Sequence, residues 1–227
     1  MVEGIAERLA AVRRRIETAA TRCGRPPSAV TLVAVSKTMP VAAIREALAA
    51  GVTILGENRI QEARDKIAEL PGAAEWHLIG HLQTNKAKVA AGLFDRMHSL
   101  DSIRLAQELD RHVGEAGRRL RCLVQVNVGG EAQKNGVSEE EVRPLLEAVR
   151  TLRHITVEGL MAIPPFLGPE AVRPFFRRLR ALRDKLVTEG FPLPDLSMGM
   201  THDFEVAIEE GATLVRIGTA IFGPRDI

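Results

Sequence analysis

Apolar positions along this chain follow two alternating rhythms: short, continuous runs rich in β-branched residues, and longer stretches with apolar residues three and four positions apart. The first is the pattern of buried strands and the second that of helices packing one face. Ile5, Leu9, Val12 and Ile16 predict an opening helix within residues 1–23, stopped by Gly24 and Pro26-Pro27. Strand-like runs then fall at residues 33–38, 53–58, 76–81, 96–100, 120–128, 156–163, 196–199 and 214–218. Helical patterns lie between them. Val41, Ile44 and Leu48 form one stripe; Ile103, Ala106, Leu109 and Val113 form another behind a cap at Asp101 or Ser102. Ser138 and Glu141 make a Ser-x-x-Glu capping box, and Val172, Phe176, Leu179 and Leu186 mark a long helix.

Eight strands, each but the last followed by a helix, with residues 221–224 as a closing stub, predict a single (β/α)8 TIM-type barrel with an extra N-terminal helix. The expected organisation is one domain over residues 1–227, the barrel occupying 30–223. A doubly wound open sheet is the alternative, disfavoured because no glycine-rich dinucleotide turn follows the first strand.

In such a barrel, reacting groups gather at the C-terminal strand ends, and anions bind in the loops after strands seven and eight. Polar residues stand at those positions here: Lys37, Asn58, His81, His98-Ser99 and Asn127. A lysine at a partly dry strand end is a nucleophile toward aldehydes, although it also fits a lysine that marks the solvent end of a strand. Ser197-Met198-Gly199-Met200-Thr201 and Arg216-Ile217-Gly218-Thr219 each combine glycine with a hydroxyl, and the first precedes a helix start; side by side they would cup a phosphate. A phosphorylated aldehyde would satisfy lysine, arginine and both turns together. Pyridoxal 5′-phosphate (PLP) is the biological ligand of that description.

Composition narrows the alternatives. Of 227 residues, 45% are hydrophobic and 26% charged, as in ordinary soluble domains. No apolar run reaches the length of a membrane span, and the arginine-containing N-terminus lacks an apolar signal core, so a cytoplasmic location is expected. The net charge is +2, the arginines lie among acids on helices, and aromatic residues make up only 4%, which argues against nucleic-acid binding. Cys23 and Cys122 cannot form a disulfide framework, and no metal-ligand spacing appears.

The motifs Ala34-Val35-Ser36-Lys37, Gly56-Glu57-Asn58, His77-Leu78-Ile79-Gly80-His81-Leu82-Gln83-Thr84-Asn85-Lys86, His98-Ser99-Leu100-Asp101-Ser102, Gly159-Leu160-Met161, Leu196-Ser197-Met198-Gly199-Met200-Thr201 and Arg216-Ile217-Gly218-Thr219-Ala220-Ile221-Phe222-Gly223, in this order, resemble the pyridoxal phosphate homeostasis protein family, relatives of the N-terminal barrel of alanine racemase. The resemblance implies that Lys37 forms an aldimine with PLP, and that Ser197, Met200, Thr201, Gly218 and Thr219 hold the phosphate. It further implies that Arg216 faces the pyridine nitrogen while Asn58 and His81 line the pocket. The family pattern often has an aromatic residue where Arg59 stands, which leaves the cover of the pocket edge open.

The implied function is reversible PLP binding that maintains, buffers or delivers the cofactor, possible recipients being apo PLP-dependent enzymes. Turnover is not expected: an arginine beside the ring nitrogen makes a poorer electron sink, and a chain with no tyrosine lacks the second base of a two-base racemase. A PLP-dependent racemase or other PLP enzyme of low activity is the alternative, and a barrel that has lost its ligand is another. Lacking the racemase's partner domain, the protein is expected to be a monomer. Lys134, in the loop after strand five, is a candidate second PLP lysine; otherwise it is a solvated loop residue.

Overall fold

The computed structural model describes residues 4–131 and 133–224. Eight parallel strands close on themselves in sequence order: β1 (Thr31–Val35), β2 (Ile54–Glu57), β3 (Glu75–Leu78), β4 (Arg96–Leu100), β5 (Leu120–Gln125), β6 (Ile155–Met161), β7 (Asp195–Ser197) and β8 (Leu214–Ile217). Closure is made by β1, which pairs with β2 on one side and with β8 on the other, Thr31 opposite Leu214 and Ala34 opposite Ile217. The outer helices are α1 (Ile5–Arg22), α2 (Val41–Ala49), α3 (Ile60–Glu69), α4 (Ala87–Leu93), α5 (Ile103–Glu115), α6 (Glu139–Val149), α7 (Pro169–Thr188), α8 (Phe204–Glu209) and α9 (Thr219–Phe222). The barrel and the extra N-terminal helix agree with the sequence reading; residues 1–3 of the expected helix and 225–227 of the expected domain lie outside the described residues.

Several boundaries differ from expectation. The eighth strand is followed by a helix after all, because the expected stub is the single turn α9, starting directly after Gly218. The run at 76–81 leaves the sheet at Leu78, so His81 lies in the loop beyond β3. The run at 120–128 stops as a strand at Gln125; Val126 and Val128 stay buried, Val126 forming an isolated bridge with Val137. Ser102, not Asp101, caps α5, accepting the Leu105 N–H at 3.2 Å, and the Ser138–Glu141 capping box opens α6.

The barrel interior is divided. Val33, Leu123, Met161 and Leu214 form an apolar cluster separate from the larger core between sheet and helices. Across from it, β3, β4, β7 and β8 turn polar residues inward: His98 of β4 bonds Ser197 of β7, and Arg96 of β4 pairs with Asp195 of β7 and with Glu158 of β6. β4 and β7 are not neighbours in the sheet, so these contacts run through the barrel's middle. Cys122, fully buried between strands and helices, packs as a small hydrophobe, and burial pushes its thiol up to about 12.

Being one turn long, α9 covers little of the outer face of β8. α1 fills the gap. Its stripe of Ile5, Leu9, Val12, Ile16 and Ala19 is buried against α8, α9 and α2, and the Arg8 Nε–H donates to the Ile221 carbonyl at 2.7 Å. Leu9 is 1% exposed. Leu9→Ala should therefore lower stability by about 3 kcal/mol, the usual loss for a buried leucine whose cavity does not collapse. Urea unfolding checks this; a change below about 1 kcal/mol would mean that α1 is not integral to the barrel.

Candidate functional site

The C-terminal ends of the strands open into a cavity of about 400 Å³. Val35 and Lys37 reach it from β1 and the turn that follows, and Asn58 from the end of β2. Ile79, Gly80 and His81 come from the β3 loop, where the Ser99 hydroxyl holds the Gly80 carbonyl at 2.7 Å. Met200, Thr201 and His202 come from the β7–α8 turn, and Arg216, Gly218 and Thr219 from the end of β8. Eight of the nine residues expected to bind the cofactor thus meet in one space.

Ser197 is the exception. It is fully buried and does not line the cavity, because its hydroxyl is engaged below the floor: it accepts from Arg216 Nη1 at 2.5 Å and lies 2.9 Å from His98 Nδ1. Lys134 does not line the cavity either. Its ammonium pairs with Glu131 at 2.6 Å, and the neighbouring Asn135 reaches the space instead. Asn127 is likewise used in its own loop, bonding the Glu131 backbone through both side-chain atoms.

Each turn has a local cause. Gly199 has φ 91°, and a Cβ there would come within 2.6 Å of Ala207, so only glycine permits this close approach of the β7 turn to α8. The Gly199 carbonyl accepts the Arg216 N–H at 3.0 Å, tying the two anion-cup segments together, and within the first the Met200 N–H bonds the Asp203 carboxylate at 2.6 Å. After β1, the Met39 N–H closes a four-residue turn onto the Ser36 carbonyl at 3.0 Å. Lys37 is its second residue. Thr38, its third, has φ 65°, a left-handed conformation that costs a β-branched residue about 1–2 kcal/mol.

Arg216 forms part of the floor, 3% exposed, with Nη2 donating to the Ala162 carbonyl at 3.0 Å. Burial pushes its guanidinium down to about 10 while Asp203 acts the other way, so it stays charged at neutral pH. Beneath it a chain of hydrogen bonds crosses the barrel, from Ser197 to His98, from His98 Nε2 to His77 Nδ1 at 2.9 Å, and from His77 Nε2 to Glu75 at 2.6 Å. Burial lowers the pKa of His77 and brings that of His98 well below the ordinary value, which favours neutral rings at neutral pH. The Glu75 carboxylate only accepts, so His77 carries its proton on Nε2 and accepts on Nδ1. His98 then donates from Nε2 and accepts from the Ser197 hydroxyl on Nδ1. Every bond in the chain consequently donates in one direction, away from Arg216 and toward Glu75.

Several lining residues gave no sequence signal as site residues. Gln125 continues the inward register of Leu123 on β5; a polar residue within that apolar run was the available clue. Ile163, Phe166 and Asn135 belong to loops whose course no periodicity encodes. The Phe166 ring, 90% exposed, stands edge-on to His202 at 6.3 Å between centroids and covers the rim, whereas Arg59 sits outside as the N-cap of α3. Another groove, of about 560 Å³, runs between α1 and α8, where arginines face glutamates and pair with them in part, as in Arg15–Glu205 at 2.8 Å and Arg22–Glu209 at 3.2 Å.

Fold and site define a class: a parallel eight-stranded barrel whose C-terminal mouth brings together a lysine, a buried arginine and two hydroxyl-bearing glycine turns around one cavity. The family model for the alanine racemase N-terminal domain matches residues 8–226. The chain belongs to the pyridoxal phosphate homeostasis protein family within it. It is 49% identical over 222 residues to the pyridoxal phosphate homeostasis protein of Aquifex aeolicus, covering 96% of this chain and 97% of that one. With its counterpart from Escherichia coli it shares 44% over 230 residues, covering 98% and 97%. The structure of PipY from Synechococcus elongatus with PLP bound superposes with a TM-score of 0.84 at 41% identity, covering 96% of this chain and all of PipY. Among the described residues, no helix is long and apolar enough to cross a membrane, and no group of metal-ligating side chains is found.

Hydrogen bonding to His77 holds the Glu75 carboxyl down at about 2, against an ordinary 4.5. Such a group stabilises the fold above about pH 4.5 and loses that contribution as pH falls through about 2. Glu75→Gln should remove this component, so that the variant loses less stability than wild type across the same interval. Urea midpoints taken through that range check it; parallel pH profiles would mean that Glu75 does not terminate the chain as a carboxylate.

Proposed function

We propose that this protein binds PLP reversibly in the barrel mouth, through Lys37, and serves to hold and release the cofactor without turnover of its own. The observation that carries the reading is the convergence of Lys37, Arg216, Thr201, Gly218 and Thr219 on one cavity large enough for a phosphorylated pyridine. Further support comes from the family, whose relatives are named homeostasis proteins, and from PipY, whose structure contains PLP.

The chain's residues fit the group chemically. PLP when bound supplies an aldehyde carbon, at which an amine forms a carbon–nitrogen double bond as the carbonyl oxygen leaves as water. Lys37 would supply that amine. Thr201 and Thr219 would donate hydroxyls to the phosphate, together with first-turn amides of the β7 and β8 turns. Val35, Ile79, Met200 and Phe166 would flank the ring. Asn58 and His81 would contact its edge, His81 held by Asp101 at 3.1 Å.

Arg216 would govern the ring nitrogen. A permanent cation there opposes protonation and weakens the electron withdrawal on which amino-acid chemistry depends. A chain without tyrosine also lacks the phenolic second base of a two-base racemase. These properties suit a holder of the cofactor, with apo PLP-dependent enzymes as proposed recipients.

Lys37→Ala should abolish the long-wavelength absorbance of the linked cofactor while retaining weak, phosphate-anchored affinity. A spectrum of each protein before and after PLP addition checks this, and a full band in the variant would remove Lys37 from the role. Borohydride reduction followed by peptide mapping should label Lys37 in wild type. Label on Lys134 in the Lys37→Ala protein would assign it as a second acceptor, and its absence would confine the chemistry to Lys37.

A further inference from the structure

Behind the turn that presents Lys37 lies a second lysine, Lys66 of α3, 6% exposed and pointing back into the barrel wall. Its ammonium makes three hydrogen bonds: to the Ser36 carbonyl at 2.7 Å, to Glu57 Oε1 at 2.7 Å and to Glu62 Oε1 at 2.6 Å. Glu57, fully buried at the end of β2, also accepts the Ser36 hydroxyl at 2.6 Å. Glu62 accepts the backbone N–H of Thr38. The peptide before Lys37 is therefore held through Ser36, and the peptide after it through Thr38, by one connected group of charges, buried at Lys66 and Glu57 and partly exposed at Glu62.

Thr38 gives this arrangement its significance. Its left-handed backbone is the conformation that the turn requires and that threonine disfavours, so an external restraint must hold it. Glu62 supplies that restraint, and Lys66, one helical turn further along α3, fixes Glu62. Lys66 and Lys37 thus have separate tasks.

We infer that the Lys66–Glu57–Glu62 cluster is a positioning device for the cofactor lysine: it clamps the strained Ser36–Thr38 segment so that the Lys37 amine is aimed at an aldehyde carbon in the barrel mouth. The inference rests on the proposed role of Lys37 and deepens it. It predicts a division between ligands. Covalent capture of the aldehyde needs the aimed amine, whereas phosphate anchoring depends on the β7 and β8 turns across the barrel.

Two variants test it. Glu62→Ala removes the Thr38 acceptor from a partly exposed position, and the double variant Lys66→Met with Glu57→Gln removes the clamp without leaving a buried charge unmatched. Each is titrated with PLP and with pyridoxine 5′-phosphate, which carries an alcohol in place of the aldehyde, and exchange of the Thr38 amide is followed by NMR in the ligand-free protein. The expected result is PLP affinity weakened about tenfold or more, unchanged affinity for the alcohol, and faster Thr38 exchange in both variants. Folded variants with wild-type PLP affinity and Thr38 protection would overturn the inference, as would equal losses for aldehyde and alcohol. Failure of wild type to capture PLP would instead overturn the role of Lys37 itself. Should the double variant not fold, Glu62→Ala alone decides.

Discussion

A full positive charge held inside a barrel is the constraint around which this molecule is arranged. Removing a guanidinium from water is costly unless its N–H groups find acceptors, and among the described residues the Arg216 side chain donates to the Ala162 carbonyl and the Ser197 hydroxyl. A hydroxyl that accepts from arginine must pass its own proton on. The succession through His98 and His77 to Glu75 follows from that requirement, and it accounts for polar residues on the inner faces of β3, β4 and β7 where a barrel would ordinarily carry branched apolar ones. Glu75 ends the chain near the opposite mouth of the barrel, partly exposed, where a carboxylate retains some hydration.

The same mouth uses charge differently on its two sides. Under β8, the arginine is itself part of the floor, donating to Ser197 above neutral rings, and Asp203 is the carboxylate that favours its charge. Beside β1, the turn that carries Lys37 is tied to a neighbouring ammonium that is matched directly by two carboxylates. One side therefore offers a fixed field to whatever ring occupies the cavity, and the other fixes backbone geometry. Between them, the loop residues Ile163 and Phe166 add apolar surface without any tie to either network.

Much of this was legible in the sequence because barrels convert linear order into spatial order. Strand runs followed by helical stripes predicted the eight-stranded barrel, and polar residues at the run ends predicted Lys37, Asn58, His81, Thr201 and Arg216 at one mouth. Features that depend on who faces whom across the interior were not legible. Ser197 has the composition of a phosphate ligand, and only the crossing from β7 to β4 and β8 reveals that its hydroxyl is already committed. The Lys66 clamp depends on α3 laying one side chain behind β1, a relation between segments whose periodicity reports only burial. One helical turn is too short for α9 to show a period, and the apolar run of β5 continues past the strand because Val126 and Val128 stay buried in the loop that follows.

The docking of α1 bears on how the chain reaches this structure. Helix α1 rests on α8 and α9, and β1 finds its second partner only in β8, so contacts that complete the wall join residues far apart in sequence. Each βα unit between them is local and forms quickly, whereas the seam between β1 and β8 carries the largest loop-closure entropy. During synthesis, then, the apolar stripe of α1 and the open edge of β1 wait without their partners until the last strand emerges. Assembly of the barrel is expected to be late and abrupt, with the cofactor cavity, whose walls straddle that seam, among its final products.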